Sequence, residues 1–312
     1  MVITAFGGPE VFEARDVPKP DPGPNDVLVK VHATSVNPVD YKIRQAGSWA
    51  GVSPPAIIGY DVSGVVEEVG EAVLDLEAGD GVFYTPEIFV GQGSYAEYHA
   101  ADAAIVAPKP PSLSHAEAAS LPLAGGMAWD ALQMAGALQV GETVLIHGAG
   151  GVGSLAVQIA AASGARVLAV CSGYMVEAVE ELGGDVVIDR HEQDFVDVVG
   201  DVVPEGVDLV LDTVGGDALN QSIGVTREYG TLVGIVSTSV DLRKAGTSNV
   251  TVHKLFLQRA RYKLLALHRL VERGQLRPVI DSVLPLEDVG EVHRRVEAGG
   301  VRGKIVLEVA GG

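Results

Sequence analysis

Three glycines carry the first chemical signal. Gly148, Gly150 and Gly153 stand in IHGAGGVGSLAVQIA (146–160) at G-x-G-x-x-G spacing. A β-branched run, TVLIH (143–147), comes directly before them. An apolar helical pattern follows, and then a second strand-like run, ARVLAV (165–170). In that setting each glycine has a mechanical task. The first permits a tight turn, the second lets a diphosphate approach the backbone, and the third packs helix on strand. The N–H groups of Gly151, Val152 and Gly153 would open the helix, with the positive end of its dipole toward the phosphates. The pattern is that of a dinucleotide cradle; the competing reading is a Gly-rich turn with no ligand.

Which dinucleotide is read one strand later. An NAD site usually ends its second strand, about 20 residues on, with Asp or Glu for the ribose 2′-hydroxyl. Here the strand ends Cys171-Ser172-Gly173-Tyr174, with no carboxylate. Ser172 offers a hydroxyl, and Arg190 in VVIDRHE (186–192) offers a cation, so a 2′-phosphate is expected and NADPH is favoured over NADH. Glu177 and Glu180 count against it. Ser172 also suits a plain helix cap, and Arg190 a solvated surface charge.

The elements around these residues follow two grammars. Residues 1–111 are β-rich: DVLVKVHATSV and VSGVVEEVG alternate, and KPDPGPND, SPP and APKPPS punctuate them. From Ser112 strands and helices alternate, which predicts a parallel sheet covered by helices on both faces. KLFLQRARYKLLALHRLVERG (254–274) reads as a helix, and RGKIVLEV as a strand returning to the first unit. The expected fold class is α/β, with a β-rich domain at 1–111 completed by 254–312 and a dinucleotide-binding domain at 112–253.

Composition narrows the partners. The 312 residues are 47% hydrophobic and carry a formal net charge of −19. Nucleic acid and anionic membranes are poor partners for that charge. The single cysteine, Cys171, excludes an intrachain disulfide and multi-cysteine zinc sites. No basic region followed by an apolar run opens the chain, and no stretch suits a membrane span. A cytoplasmic protein acting on a small molecule is expected.

Taken in order, SVNPVDYKIRQAG (35–47), IIGYDVSGVVEEVG (57–70), GSYAEY, LPLAGGMAWDAL, HGAGGVG, LDTVGGDAL and RGKIVL resemble the medium-chain dehydrogenase/reductase superfamily nearly end to end. Within it the chain is most similar to the zinc-independent quinone oxidoreductase, or ζ-crystallin-like, branch. The resemblance implies a GroES-like catalytic domain, a Rossmann domain, an active site in the cleft between them, and a homodimer or homotetramer. Dimers of the family pair their last Rossmann strands, here near Asn249 to His253. Zinc-dependent relatives carry a cysteine where Asn37 stands and a histidine where Tyr60 stands. Amide and phenol groups are poor zinc ligands, so no metal is expected. Hydride transfer without a Lewis acid suits acceptors that are already electrophilic: quinones and α,β-unsaturated carbonyls. An enoyl reductase of a biosynthetic pathway, or a non-catalytic NADPH-binding sensor or structural protein, is the alternative.

The resemblance also assigns residues. Asn37 falls beside the nicotinamide and substrate, its amide donating to the substrate carbonyl, unless it is only a turn residue before Pro38. Asp40 is an orienting residue, or a salt-bridge or capping group. Tyr41 is a proton donor, an aromatic wall or a core tyrosine. Tyr60 lines the pocket or packs. Asp212, Thr213 and Val214 meet the nicotinamide ribose, with Gly215 and Gly216 permitting close approach. Val233 to Val236, Ile235 among them, end the fifth strand where family backbone groups hold the carboxamide. Lys304 is a phosphate or structural contact. Met127 stands where the family often has a threonine.

Overall fold

The computed structural model describes residues 1–89, 91–236 and 240–309. They form two compact units. The first unit (1–124, 259–272 and 278–312) is organised on the strand Asp26–Ser35, whose Val27, Val29, Val31 and Ala33 are fully buried. This strand pairs antiparallel with Val62–Val69, Tyr98–Asp102 and Lys304–Glu308. The C-terminal strand, expected from RGKIVLEV, pairs with the first unit. Ile280–Pro285 lies parallel outside it, and Gly81–Tyr84 and Ala107–Pro108 extend the other side.

The second unit (125–258 and 273–277) holds six parallel strands. Their spatial order is Val186–Asp189, Arg166–Cys171, Thr143–His147, Val207–Asp212, Thr226–Gly234, Thr251–Lys254. Numbered along the chain this is 3-2-1-4-5-6, the doubly wound dinucleotide-binding order. Leu145, Leu168, Val210 and Leu232, one from each of four strands, form the core against which the helices pack. Parallel strands cannot be joined by hairpins, so each crossover spends a helix or long loop and both faces are covered.

The division differs from the expected one in two places. The alanine-rich stretch after Ser112 stays with the first unit: Ala119, at the end of the helix His115–Ala119, packs on Ala33 and Val306. The break comes after Ala124 instead. The expected helix at 254–274 forms only over Arg261–Glu272. Thr251–Lys254 completes the sheet edge, and the Leu255 N–H still donates to Gly234 O, so the backbone is extended there. Residues 254–258 therefore belong to the second unit. So do 273–277, where Gln158 exchanges two hydrogen bonds with the Arg277 backbone. Among the described residues no helix is long and apolar enough to cross a membrane.

Candidate functional site

The cradle lies at the carboxyl end of Thr143–His147. Gly148 has φ +90°, a conformation that favours glycine, and its N–H donates to Val170 O. Gly150 precedes the helix Gly151–Ala162 and makes no side-chain cap to it. A Cβ on Gly150 would meet nothing within 4 Å, whereas one on Gly153 would lie 1.8 Å from Gly148 O. The three tasks read from the spacing are thus met: turn, open approach, tight packing. The first-turn N–H groups of Gly151, Val152 and Gly153 have no intrahelical acceptor to use, and an anion is their natural partner.

The next loop holds the specificity question. Ser172 caps the short turn Gly173–Met175 with its backbone, and its hydroxyl makes no cap. The Arg190 N–H donates to Cys171 O, which brings that residue beside the end of the second strand. Its exposed guanidinium contacts His191. The structure adds an acid to this loop. Asp189, in register with Cys171, sits so close that a Cβ on Gly173 would lie 2.4 Å from its Oδ2. The carboxylate missing from the second strand is supplied by the third.

At the ends of the fourth and fifth strands Asp212 is fully buried, and its Oδ1 accepts from the N–H groups of Val214 and Gly215 at 2.9 Å each. Its Oδ2 is buried without a partner. An unsatisfied carboxylate oxygen is costly, and ribose hydroxyls are donors of the kind it lacks. Uncapped N–H groups on the first strand's turn and a bare acceptor on the neighbouring strand fit a dinucleotide. Thr213 faces inward, its hydroxyl donating to His147 O at 2.7 Å. Val214 is half exposed. Val233 is not at a free strand end; it lies inside the ladder between Leu211 and His253. Ile235 lies beyond the strand, its N–H donating to Asp212 O. His147 is a further buried group here. Its Nε2 meets Ser222 Oγ at 2.8 Å, and burial pulls its pKa down to about 4, so it is neutral.

In the first unit the residues around Asn37 converge. Asn37 caps the helix Pro38–Ala46 and is 2% exposed. Its Nδ2 donates to Asp61 Oδ2 at 2.7 Å, and its Oδ1 accepts from Lys304 Nζ at 2.5 Å. The amide is turned inward, so the expected donor to a substrate carbonyl is instead part of the scaffold. Of the two roles expected for Lys304, the structure shows the structural contact and not the phosphate one. Its buried ammonium also reaches Val36 O and Asp61 Oδ2, which leaves no proton for a phosphate. Asp61 collects Ser35 Oγ, Asn37 Nδ2, Lys304 Nζ and the Leu123 N–H. It is the last residue of IIGYD (57–61), next to the expected pocket residue Tyr60. That neighbour, Tyr60, is 1% exposed and packs; burial raises its pKa first, then Asp40 and Glu87. Asp40 is fully buried, with its Oδ2 accepting from the Asn37 N–H at 2.7 Å and the Tyr95 hydroxyl at 3.0 Å. Burial, with a smaller push from Asp61, lifts it to about 7 against the hydrogen bonds and Lys304. Tyr41 is half buried, its pKa raised by burial and then by Glu297. Among the described residues, no group of three or more His, Cys, Asp or Glu is arranged to hold a metal ion.

Both units have counterparts in known proteins. Residues 23–111 match the Alcohol dehydrogenase GroES-like domain family and residues 182–307 the Zinc-binding dehydrogenase family. The NADPH-dependent alkenal/one oxidoreductase of Arabidopsis thaliana is 33% identical, over 98% of this chain and 78% of its own. Human quinone oxidoreductase is 32% identical, over 98% and 96%. The crystal structure of quinone oxidoreductase from Coxiella burnetii superposes with a TM-score of 0.89 at 35% identity, covering 99% and 98%. A GroES-like unit and a Rossmann unit in one chain define a two-domain oxidoreductase architecture. The chain belongs to the medium-chain dehydrogenase/reductase superfamily, in its zinc-independent quinone oxidoreductase-like branch.

Proposed function

We propose that the protein is an NADPH-dependent oxidoreductase that reduces quinones or α,β-unsaturated carbonyls without a metal, in the cytoplasm, as a homodimer or homotetramer. The observation that carries this reading is the uncapped turn Gly150–Gly153 at the end of the first strand of a 3-2-1-4-5-6 sheet. The names of the Arabidopsis, human and Coxiella relatives agree with it.

Bound there, a dihydronicotinamide would supply the hydride. The protein's share is to hold and orient. The backbone of 151–153 would bind the diphosphate, and Asp212 Oδ2 would accept from a ribose hydroxyl. Ser172 and Arg190 would receive the 2′-phosphate, with Asp189 as their electrostatic opponent. On the acceptor side, Asp61 and Lys304 keep Asn37 rigid. Tyr41, half buried and protonated across the neutral range, is the phenol available to give a proton to the enolate or hydroquinone oxygen. The edge strand Thr251–Lys254 is the surface for pairing of protomers.

The test is titration with NADPH and NADH, followed by an acceptor panel of quinones and enones with the preferred cofactor. Turnover with NADPH on a quinone or enone supports the reading. Tight cofactor binding without turnover on any acceptor would replace it with a sensor. Light scattering on the purified protein reports the assembly.

A further inference from the structure

A buried string of polar groups runs beneath the Asn37 turn, from the helix Val289–Ala298 to the start of Pro38–Ala46. Arg44 is fully buried. Its Nε donates to Gly7 O at 3.0 Å, its Nη2 to Glu297 Oε1 at 2.6 Å and its Nη1 to His293 Nδ1 at 3.2 Å. The other ring nitrogen, His293 Nε2, lies 3.0 Å from the Tyr95 hydroxyl, which lies 3.0 Å from Asp40 Oδ2.

Chemistry gives the string a direction. A guanidinium only donates, so Nδ1 of His293 must accept. The neutral ring then carries its proton on Nε2 and donates to the Tyr95 oxygen. With its oxygen occupied as acceptor, the Tyr95 hydroxyl donates to Asp40. Every bond points from Arg44 toward Asp40. A proton on Nδ1 would meet the Arg44 N–H head-on, so the string is a fixed brace and does not conduct. The packing agrees. Phe12 stands edge-on to His293 at 4.9 Å, and Gly59, at φ +106°, leaves the room Tyr95 fills: a Cβ there would lie 2.4 Å from the ring.

We propose that Arg44, His293 and Tyr95 are positioning residues, a one-way hydrogen-bond string that sets the ionisation of Asp40 and, through the Asp40–Asn37 backbone bond, the turn on which the acceptor side of the reaction is built. The link to turnover rests on the proposed function; the string itself does not. Asp40 has a buried Oδ1 with no partner. Oδ2 is taken by two donors, so a proton added to Asp40 goes to Oδ1 and leaves the string intact. The charged and titratable groups facing Asp40 are Tyr95, Tyr60, Asp61 and Lys304. Those facing His293 are Arg44 and Tyr95. Burial holds His293 neutral, with its pKa at about 3, and Arg44 adds to that. Removing the Tyr95 donor takes away a bond that favours ionised Asp40, so its titration moves up.

The test compares Tyr95→Phe, His293→Leu and His293→Gln with the parent. Gln, like this tautomer, sets an acceptor atom and a donor atom on a planar head, its carbonyl oxygen facing Arg44 and its NH₂ facing Tyr95. Asp40 is followed by infrared spectroscopy of carbon-13-labelled aspartate, and kcat/KM for the acceptor is followed against pH at saturating NADPH. The midpoint of Asp40 should rise by about one pH unit in Tyr95→Phe, the scale of one lost hydrogen bond to a charged group, and by less in His293→Leu, where Tyr95 keeps its bond to Asp40 and loses only the donor that fixes its direction. It should return to the parent value in His293→Gln, and the kcat/KM profile should move with it. An Asp40 midpoint unchanged in both disrupting variants overturns the string. A midpoint that moves while kcat/KM does not overturns its role in turnover. If the parent reduces no acceptor, the functional reading fails and the infrared titration still decides the string.

Discussion

At the scale of single residues the sharpest contest is between Arg190 and Asp189, adjacent in sequence and opposite in sign. Arg190→Ala should weaken NADPH by about tenfold, worth about 1.4 kcal/mol, and leave NADH nearly unchanged. Asp189→Asn should act in the opposite sense, strengthening NADPH relative to NADH. Calorimetric titration of both variants with both nucleotides checks the pair, and equal effects on the two cofactors would remove Arg190 from the assignment. Gly153 is a different case. A methyl group there would overlap Gly148 O, so Gly153→Ala should abolish cofactor binding. The displaced turn should also cost about 1–3 kcal/mol of stability, measured by denaturant unfolding.

At the scale of elements, much was legible. TVLIH, VDLVLD and the runs around 166–171 and 186–189 are strands because β-branched residues fill both faces of a covered parallel sheet. What escaped the sequence was long-range. Nothing local says that the helix waits until Arg261; the strand Thr251–Lys254, continued by the Leu255 N–H bond to Gly234 O, occupies the chain before it. Nothing local in LEDVGEVHRR (286–295) marks His293 as buried, because its partners Arg44 and Tyr95 lie 249 and 198 residues away. Lys304 was visible as a candidate, but only the fold shows that Asn37 and Asp61 absorb its charge. That tie sews the C-terminal strand Lys304–Glu308 to the Asn37 turn. Lys304→Met should therefore destabilise the first unit by about 3 kcal/mol or more, since Asp61 loses its buried countercharge. Thermal unfolding should show the loss. A phosphate-binding lysine would instead change cofactor affinity and leave stability alone.

At the scale of the whole molecule, buried histidines govern the response to acid. Burial holds His99, His115 and His147 at about 4 and His293 at about 3, against a usual 6.5. Groups depressed in the folded state contribute stability above 6.5 and lose it as pH falls toward 4, because the unfolded chain takes up protons first. Asp40 acts oppositely. Its folded value of about 7 lies above the usual 3.8, so its contribution is full below 3.8 and is lost as pH rises through 7. Four histidines outnumber one carboxyl, so the urea midpoint should fall steeply between pH 6.5 and 4. A flat profile there would show that these rings are solvated in the folded protein. The central claim is that the bare amides at 151–153 hold the diphosphate of a nicotinamide cofactor whose hydride goes to an electrophilic acceptor. Its most direct measurement is stopped-flow oxidation of prebound NADPH on mixing with a quinone or an enone. Reduced-nicotinamide absorbance should fall at a rate that depends on acceptor concentration, and the fall should disappear in Gly153→Ala. Absence of bound NADPH and NADH, or bound cofactor inert to every acceptor, would contradict it.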